Sequence, residues 1–265
     1  DEDVLDTWAS SWLWAHAIFK TDDERKYYYP TNTLVTGPDI IFFWVARMIM
    51  AGMHFQKNIP FSDVYFTSII RDVQGRKMSK SLGNSPDPLN VIKDYGADAL
   101  RFTIIYLAPL GQDVLFSTDK CELGRNFANK IWNAGRFLLM NAEKISLNKD
   151  LKFAQIDFAD EWIISRLNKT IQQLNKAMDE FEVNNAIKLI YSFIWNDFCD
   201  WYVEMIKNRL YADNAEVKSA VLTRAISIFE DALKMLHPFM PFITEELWQL
   251  MDERKDGESI STSTY

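Results

Sequence analysis

Hydrophobic positions in the second half of the chain recur every three or four residues. Ile163, Leu167, Ile171, Leu174 and Met178 form one stripe; Ile187, Ile190, Ile194, Phe198, Trp201 and Met205 form a second; Val217, Val221, Ala225, Ile228, Ala232 and Met235 form a third. That spacing follows the turn of an α-helix with one buried face. The pattern stays helical nearly throughout after Asp119, which predicts a bundle of about four or five helices. Asp160 and Asn214 stand where N-caps are expected, the run 237–241 (His-Pro-Phe-Met-Pro) ends one helix, and Thr244-Glu245-Glu246 opens the next.

The first half has a different period. β-branched and aromatic runs at 33–35 and 64–70 read as strands, and 39–53 between them reads as a helix. Strand, helix, strand is the order of a parallel α/β sheet, and Gly37-Pro38-Asp39 falls at the carboxyl end of the first strand, where such sheets bind ligands. From Pro86 to Thr118 short helices and turns are expected, punctuated by Pro86, Pro88 and Pro109.

Composition narrows the class. With 265 residues, 48% of them hydrophobic and 14% aromatic, the chain can bury a large core and divide into two units. The apolar run 40–46 is interrupted by Arg47, so it falls short of the roughly 20 residues that cross a bilayer. No signal peptide is visible after the acidic opening, and without an initiator methionine the chain reads as a piece of a longer polypeptide. Cys121 and Cys199, far apart and without Cys-x-x-Cys or histidine companions, read as reduced, packed thiols of a cytoplasmic protein, with a disulfide between them as the less favoured alternative. His16, His54 and His237 show no ligand spacing, so no metal site is expected. The net charge of −8 argues against indiscriminate polyanion binding, DNA included, but leaves room for a local basic face on a selective RNA binder.

One stretch departs from that acidity. Between Arg71 and Lys80 stand four positive charges and one negative, followed by Ser81-Leu82-Gly83-Asn84. Lysine ammonium groups are compact charges on flexible stems, suited to charge that moves from a triphosphate to a leaving pyrophosphate. Lys77 and Lys80 are the candidate electrostatic catalysts; Met78, Ser79 and Ser81 complete the candidate ATP-binding loop, and Gly75 and Gly83 allow it to bend. A solvated basic turn is the plain alternative for two lysines at that spacing. Similarly, Trp8, Trp12, Trp14 and Trp44 can be core residues, and Asp39 an N-cap.

The pentapeptide Lys77-Met78-Ser79-Lys80-Ser81 is the KMSKS signature of class I aminoacyl-tRNA synthetases. The segments 3–14 (Asp-Val-Leu-Asp-Thr-Trp-Ala-Ser-Ser-Trp-Leu-Trp) and 36–48 (Thr-Gly-Pro-Asp-Ile-Ile-Phe-Phe-Trp-Val-Ala-Arg-Met) resemble the valyl branch of that family, the isoleucyl and leucyl relatives carrying other residues at both places. The chain departs from the valyl pattern at Ala9 and Pro38. The resemblance implies the C-terminal half of a Rossmann-like parallel sheet followed by a helical-bundle domain: the second half of the catalytic domain at 1–72, the lysine loop and stem-contact region at 73–120, and an anticodon-binding helical domain at 121–265. It implies that Gly37 and Asp39 hold the adenylate ribose, that Trp8 and Trp44 wall the valine pocket, and that Arg125, Asn129, Lys130, Asn133 and Arg136 face tRNA, although a solvated polar helix face explains those five equally well.

The implied reaction activates valine with ATP, brought as its Mg2+ complex, and passes it to tRNA(Val); a monomer is expected. The His-x-Gly-His motif, the editing domain and the terminal coiled coil of the family are not found in these residues, so little or no ligase activity is expected of this piece alone. Three rivals stand beside this reading: a non-catalytic tRNA-binding module, an isoleucyl- or leucyl-type fragment, and another nucleotidyl transferase of the superfamily. The roughly 145 residues after the loop region count against the last.

Overall fold

The computed structural model describes residues 3–4, 6–109, 111–145, 147–148, 150, 152, 154 and 156–264. They fall into two compact units, one formed by 1–69 with 110–113 and the other by 70–109 with 114–265.

The first unit is a small parallel α/β piece. Short helices α1 (Thr7–Ser11), α2 (Trp14–Ala17) and α3 (Asp22–Tyr28) precede strand β1 (Thr31–Thr36). A capping box at the start of α3, in which Thr21 and Glu24 satisfy each other's backbone amides, fixes where that helix begins. After β1 the chain turns through Pro38–Ile40, winds with wide π turns over Ile41–Val45, and continues as α4 (Ala46–Ala51) and a second π stretch, Gly52–Gln56. It returns as β2 (Phe61–Phe66), parallel to β1 with Thr31 opposite Phe61 and Thr36 opposite Phe66. The expected strand, helix and parallel strand are therefore present. Ala15, Leu34, Val45, Met48 and Phe61 form the core, with Tyr29, Ile41, Trp44 and Val64 packed around it. Gly52 is required by close approach: a Cβ there would lie 2.8 Å from the Tyr29 hydroxyl and 3.0 Å from the Asn58 carbonyl.

The run 64–70, read as one strand, is divided in the structure. β2 ends at Phe66, and Ile70–Arg71 forms a separate strand, β3, which pairs in parallel with β4 (Val114–Leu115) in the second unit. Helices α5 (Pro88–Tyr95) and α6 (Ala97–Leu107) lie between these two short strands in sequence. The bundle proper follows: α7 (Cys121–Ala142), α8 (Phe158–Asp179), a long rod of α9 (Val183–Ser192), π turns over Phe193–Tyr202 and α10 (Val203–Leu210), then α11 (Ala215–Leu236) and α12 (Pro241–Met251). Among the described residues this makes five rods, with α11 buried over most of its circumference from Ser219 to Leu236.

Four sequence expectations need correction here. Trp201 and Met205 are 58% and 42% exposed, while Tyr202 and Ile206 are fully buried in their place. A π turn holds about one more residue than an α turn, so the buried stripe that passes Ile194 and Phe198 arrives one position late. Met178, in the last turn of its helix, is exposed and Ala177 is buried instead. Asp160 does not cap α8: Asp157 is the N-cap, and Asp160 is the third helical residue, returning a bond to the Asp157 amide at 3.2 Å with the rest of its carboxylate turned into the core. Likewise α12 begins at Pro241, and Thr244 is interior, its hydroxyl donating to the Met240 carbonyl at 2.8 Å. Asn214 does cap α11, accepting from the amides of Glu216 and Val217.

Candidate nucleotide and RNA sites

The lysine loop rises from β3 and is rooted by one apolar residue. Met78 packs with Val91, Val114, Phe116 and Cys121, a small core separate from that of the bundle. Immediately after β3 the chain makes a tight turn, with the Gly75 amide donating to the Asp72 carbonyl at 2.9 Å and the Asp72 amide to the Arg76 carbonyl at 3.0 Å. Gly75 sits there at φ +78°, a left-handed conformation that disfavours a side chain. Arg71 bridges Lys77 antiparallel, bringing the chain back beside the strand it left. A second turn spans Lys80 to Gly83, closed by the Gly83 amide on the Lys80 carbonyl at 3.2 Å, with Gly83 at φ +64°. Lys77 and Lys80 are both exposed, on either side of half-buried Met78 and Ser79. Ser79 and Ser81 hydroxyls lie 3.2 Å apart, and Ser79 Oγ also accepts the Leu82 amide.

Two loop residues to which the sequence reading gave no role are central to this geometry. Asp72 is buried, and its carboxylate accepts from the Asn84 amide, the backbone amides of Gln74 and Arg76, and the Arg76 guanidinium. These bonds, the one from Asn84 foremost, outweigh burial and hold its pKa down at about 2. Their only sequence signal was an acid and an amide enclosing a glycine-flanked basic loop, which does not announce a pairing.

In the first unit, Gly37 and Asp39 lie directly beyond the carboxyl end of β1. A Cβ on Gly37 would come within 2.8 Å of Asp39 Oδ1, so the exposed Asp39 carboxylate lies folded back over Gly37. Trp44 sits on the π turns that follow, and its indole N–H donates to the Ser11 carbonyl at 3.0 Å, tying α1 to that stretch. Trp8, on α1, lies 6.4 Å from the Phe43 ring and has the Arg47 guanidinium 5.4 Å from its ring centroid. Both indoles are half-buried in the same unit, held by different partners.

On α7 the five candidate RNA contacts separate. Asn129, Lys130 and Asn133 line a groove of about 460 Å³ against the α9–α10 rod, with Trp195, Cys199 and Lys207 on its far wall. Lys130 is paired with Asp200 and lies 4.3 Å from the Trp195 ring centroid. Arg125 stands outside the groove, paired with Glu122 and 5.5 Å from the Tyr95 ring, and Arg136 is exposed further along. His237 is engaged within its own unit, its two nitrogens 2.7 Å from Thr244 Oγ1 and 2.8 Å from Ser261 Oγ. Among the described residues, no group of three or more histidine, cysteine or acidic side chains is placed to hold a metal ion.

Family models draw their boundary later in the chain than the compact units do. The profile described as tRNA synthetases class I (I, L, M and V) matches residues 1–117, and the anticodon-binding domain of tRNA ligase matches 160–265. Valine–tRNA ligase of Chlorobaculum tepidum is 53% identical over 99% of this chain and 31% of its own length; that of Fusobacterium nucleatum is 54% identical over 100% and 30%. Along its whole length the chain is similar to one segment of the valine–tRNA ligases. It spans about 30% of the length of the curated relatives it matches. Two solved structures share its fold at 20% identity: the LeuRS–tRNA–LeuAMS ternary complex from Agrobacterium radiobacter K84, with a TM-score of 0.76 over 96% of this chain and 32% of that one, and Mycobacterium tuberculosis methionyl-tRNA synthetase with methionyl-adenylate, at 0.75 over 96% and 51%. No described helix is long and apolar enough to cross a membrane.

Proposed function

We propose that this chain supplies two parts of a cytoplasmic valine–tRNA ligase: the lysine-loop half of the ATP site, and the helical domain that reads the anticodon of tRNA(Val). The observation that carries the reading is identity of about half the residues to valine–tRNA ligases along the whole chain, together with an intact Lys77–Ser81 signature on a loop closed by two hydrogen-bonded turns. ATP enters as substrate with its Mg2+; the valine carboxylate attacks the α-phosphate, forming the acyl-phosphate bond as pyrophosphate leaves, and the terminal adenosine hydroxyl of tRNA then takes the acyl group and releases AMP.

In this scheme Lys77 and Lys80 stabilise the charge that accumulates on pyrophosphate, a task of positioning rather than covalent chemistry. Gly37 gives the ribose access to the backbone and Asp39 accepts from its vicinal hydroxyls. Trp8 and Trp44 wall a small apolar pocket with rigid rings. Asn129, Lys130 and Asn133 meet RNA at the α7 groove, with Arg125 and Arg136 contacting phosphates to either side. Domain roles follow the same division, 1–72 and 73–120 serving catalysis and 121–265 serving tRNA. The protein acts as a monomer.

The test compares the 265-residue chain with a full-length ligase containing it. Valine-dependent ATP–pyrophosphate exchange is expected from the full-length protein and not from the chain alone, while the chain retains binding to tRNA(Val) transcripts that weakens when the anticodon is altered. Exchange driven by another amino acid, or tRNA binding indifferent to the anticodon, would refute the assignment.

A further inference from the structure

The lysine loop closes on itself through Asp72 and Asn84. Asn84 Nδ2 donates to Asp72 Oδ2 at 2.9 Å and reaches the Lys77 carbonyl at 3.3 Å, while its Oδ1 accepts the Ser79 amide at 2.9 Å. Asp72 in turn grips the first turn of the loop through the Gln74 amide at 3.0 Å, the Arg76 amide at 2.8 Å and the Arg76 Nε at 2.7 Å. The residues on both sides of Met78 are thus fixed to a buried carboxylate by one amide side chain. Only a group that donates and accepts at once can do this, which a carboxylate or an aliphatic side chain cannot.

We propose that Asn84 and Asp72 are positioning residues that latch the loop, setting Lys77 and Lys80 in place before the phosphates arrive. The proposal rests on the assignment of those lysines to pyrophosphate stabilisation. Charges aimed in advance avoid reorganisation during the reaction, so a loop that must order itself each time gives up part of its effect. The root of the loop is anchored independently, by Met78 among Val91, Val114 and Phe116, so loss of the latch frees the lysines without releasing the root.

The test uses three variants in a full-length valine–tRNA ligase containing this segment: Asn84→Ala, Asn84→Asp, and the exchange Asp72→Asn with Asn84→Asp. Asn84→Asp alone sets two carboxylates against each other. The exchange restores a donor–acceptor pair in reverse and keeps the Ser79 bond, giving up the longer Lys77 contact and the Arg76 charge pair. For valine-dependent ATP–pyrophosphate exchange, kcat is expected to fall about 10- to 100-fold in Asn84→Ala. It falls further in Asn84→Asp and recovers in the exchange, with KM for valine unchanged throughout. An exchanged enzyme no faster than Asn84→Asp, or an Asn84→Ala enzyme with the parent's kcat, overturns the latch. Hydrogen exchange at the Ser79 amide in the 265-residue chain gives a reading independent of catalysis: protection in the parent and its loss in Asn84→Ala are expected, and equal rates overturn the proposal. If the parent ligase shows no valine-dependent exchange, the functional assignment fails while the Ser79 measurement still decides the latch.

Discussion

Asp160 is where a single atom exchange should cost most stability. Its side chain and those of Arg224 and Tyr202 are buried almost completely, while Arg209 keeps a partial route to solvent. Its oxygens accept from Tyr202 Oη at 2.8 Å, Arg209 Nη1 at 2.6 Å and Nη2 at 3.1 Å, and Arg224 Nη1 at 2.6 Å. Asp160→Asn keeps the shape but removes the charge and turns a donor toward a guanidinium. Arg209 can lean on Asp157, 3.1 Å away, and on water. Arg224 cannot, because its remaining bonds are to the neutral carbonyls of Lys152 and Ala154. Stranding one such charge costs about 3–5 kcal/mol. For a unit of roughly 150–250 residues each kcal/mol is worth about 2–4 °C, so melting should fall by roughly 6–20 °C. Burial pushes the Asp160 carboxyl up, but bonds from Arg209, Tyr202 and the Asp157 amide, with the Arg224 charge, bring it below the usual range. A depressed carboxylate contributes stability that is present above its unfolded pKa of about 4 and lost as pH falls through the folded value. The parent's advantage over Asp160→Asn should therefore shrink on acidification, as followed by circular dichroism melts at several pH values. A loss below about 1 kcal/mol at neutral pH, or one that does not shrink in acid, would refute this account of the network.

Gly124→Ala places a Cβ 2.8 Å from Ala99 Cα, backbone against backbone where α6 crosses α7. Helix propensity favours alanine by about 1 kcal/mol, but overpacking costs about 1–3 kcal/mol or more, so net destabilisation is expected in a urea melt. Lys80→Ala in the full-length ligase should lower kcat for pyrophosphate exchange by about 10²–10³ with little change in KM for valine, read by steady-state kinetics. Burial pushes the Cys199 thiol up to about 12, leaving at pH 8 roughly a thousandfold less thiolate than an ordinary cysteine. Alkylation at pH 8 should accordingly be slow in the folded chain and fast in urea, as counted by mass spectrometry.

What was legible in the sequence depended on local period. β1, the helix after it and β2 show themselves because β-branched runs flank an apolar stretch, and the rods because their stripes run over several turns. The π turns of 193–202 have no compositional signature, so the exposure of Trp201 and the burial of Tyr202 could not be read from spacing. β3 and β4 are two residues each, too short for alternation to register. Asp160 looked like a cap because caps are read within one turn, whereas its guanidinium partners lie 49 and 64 residues away. The lysine loop was legible as chemistry, and its Met78 root and Asp72–Asn84 closure were not, since both depend on elements brought together by the fold.

The loop's foundation explains why it belongs with the helices. Met78 shares its apolar cluster with Val91 of α5, Leu100 and Ile104 of α6, and Cys121, the first residue of α7. Helix α6 is in turn fastened to the start of α12: Asp98 accepts the Phe242 amide at 3.2 Å and the Ile243 amide at 2.7 Å, and Arg101 donates to the carbonyls of Pro238 and Phe239 at 3.0 and 3.3 Å. First-turn amides have no acceptor within their own helix, and the N-cap Met240 offers no side-chain oxygen, so α12 takes its cap from α6. Packed side chains and capped amides thus run without interruption from the root of the lysine loop to the last two helices of the anticodon-binding region. A shift of α12 that kept its amides bonded would have to carry α6, and with it the floor under Met78. Under the proposed function, in which those helices hold RNA and the loop lysines face pyrophosphate, coupling between the two would need no separate relay, because both are mounted on one compact unit.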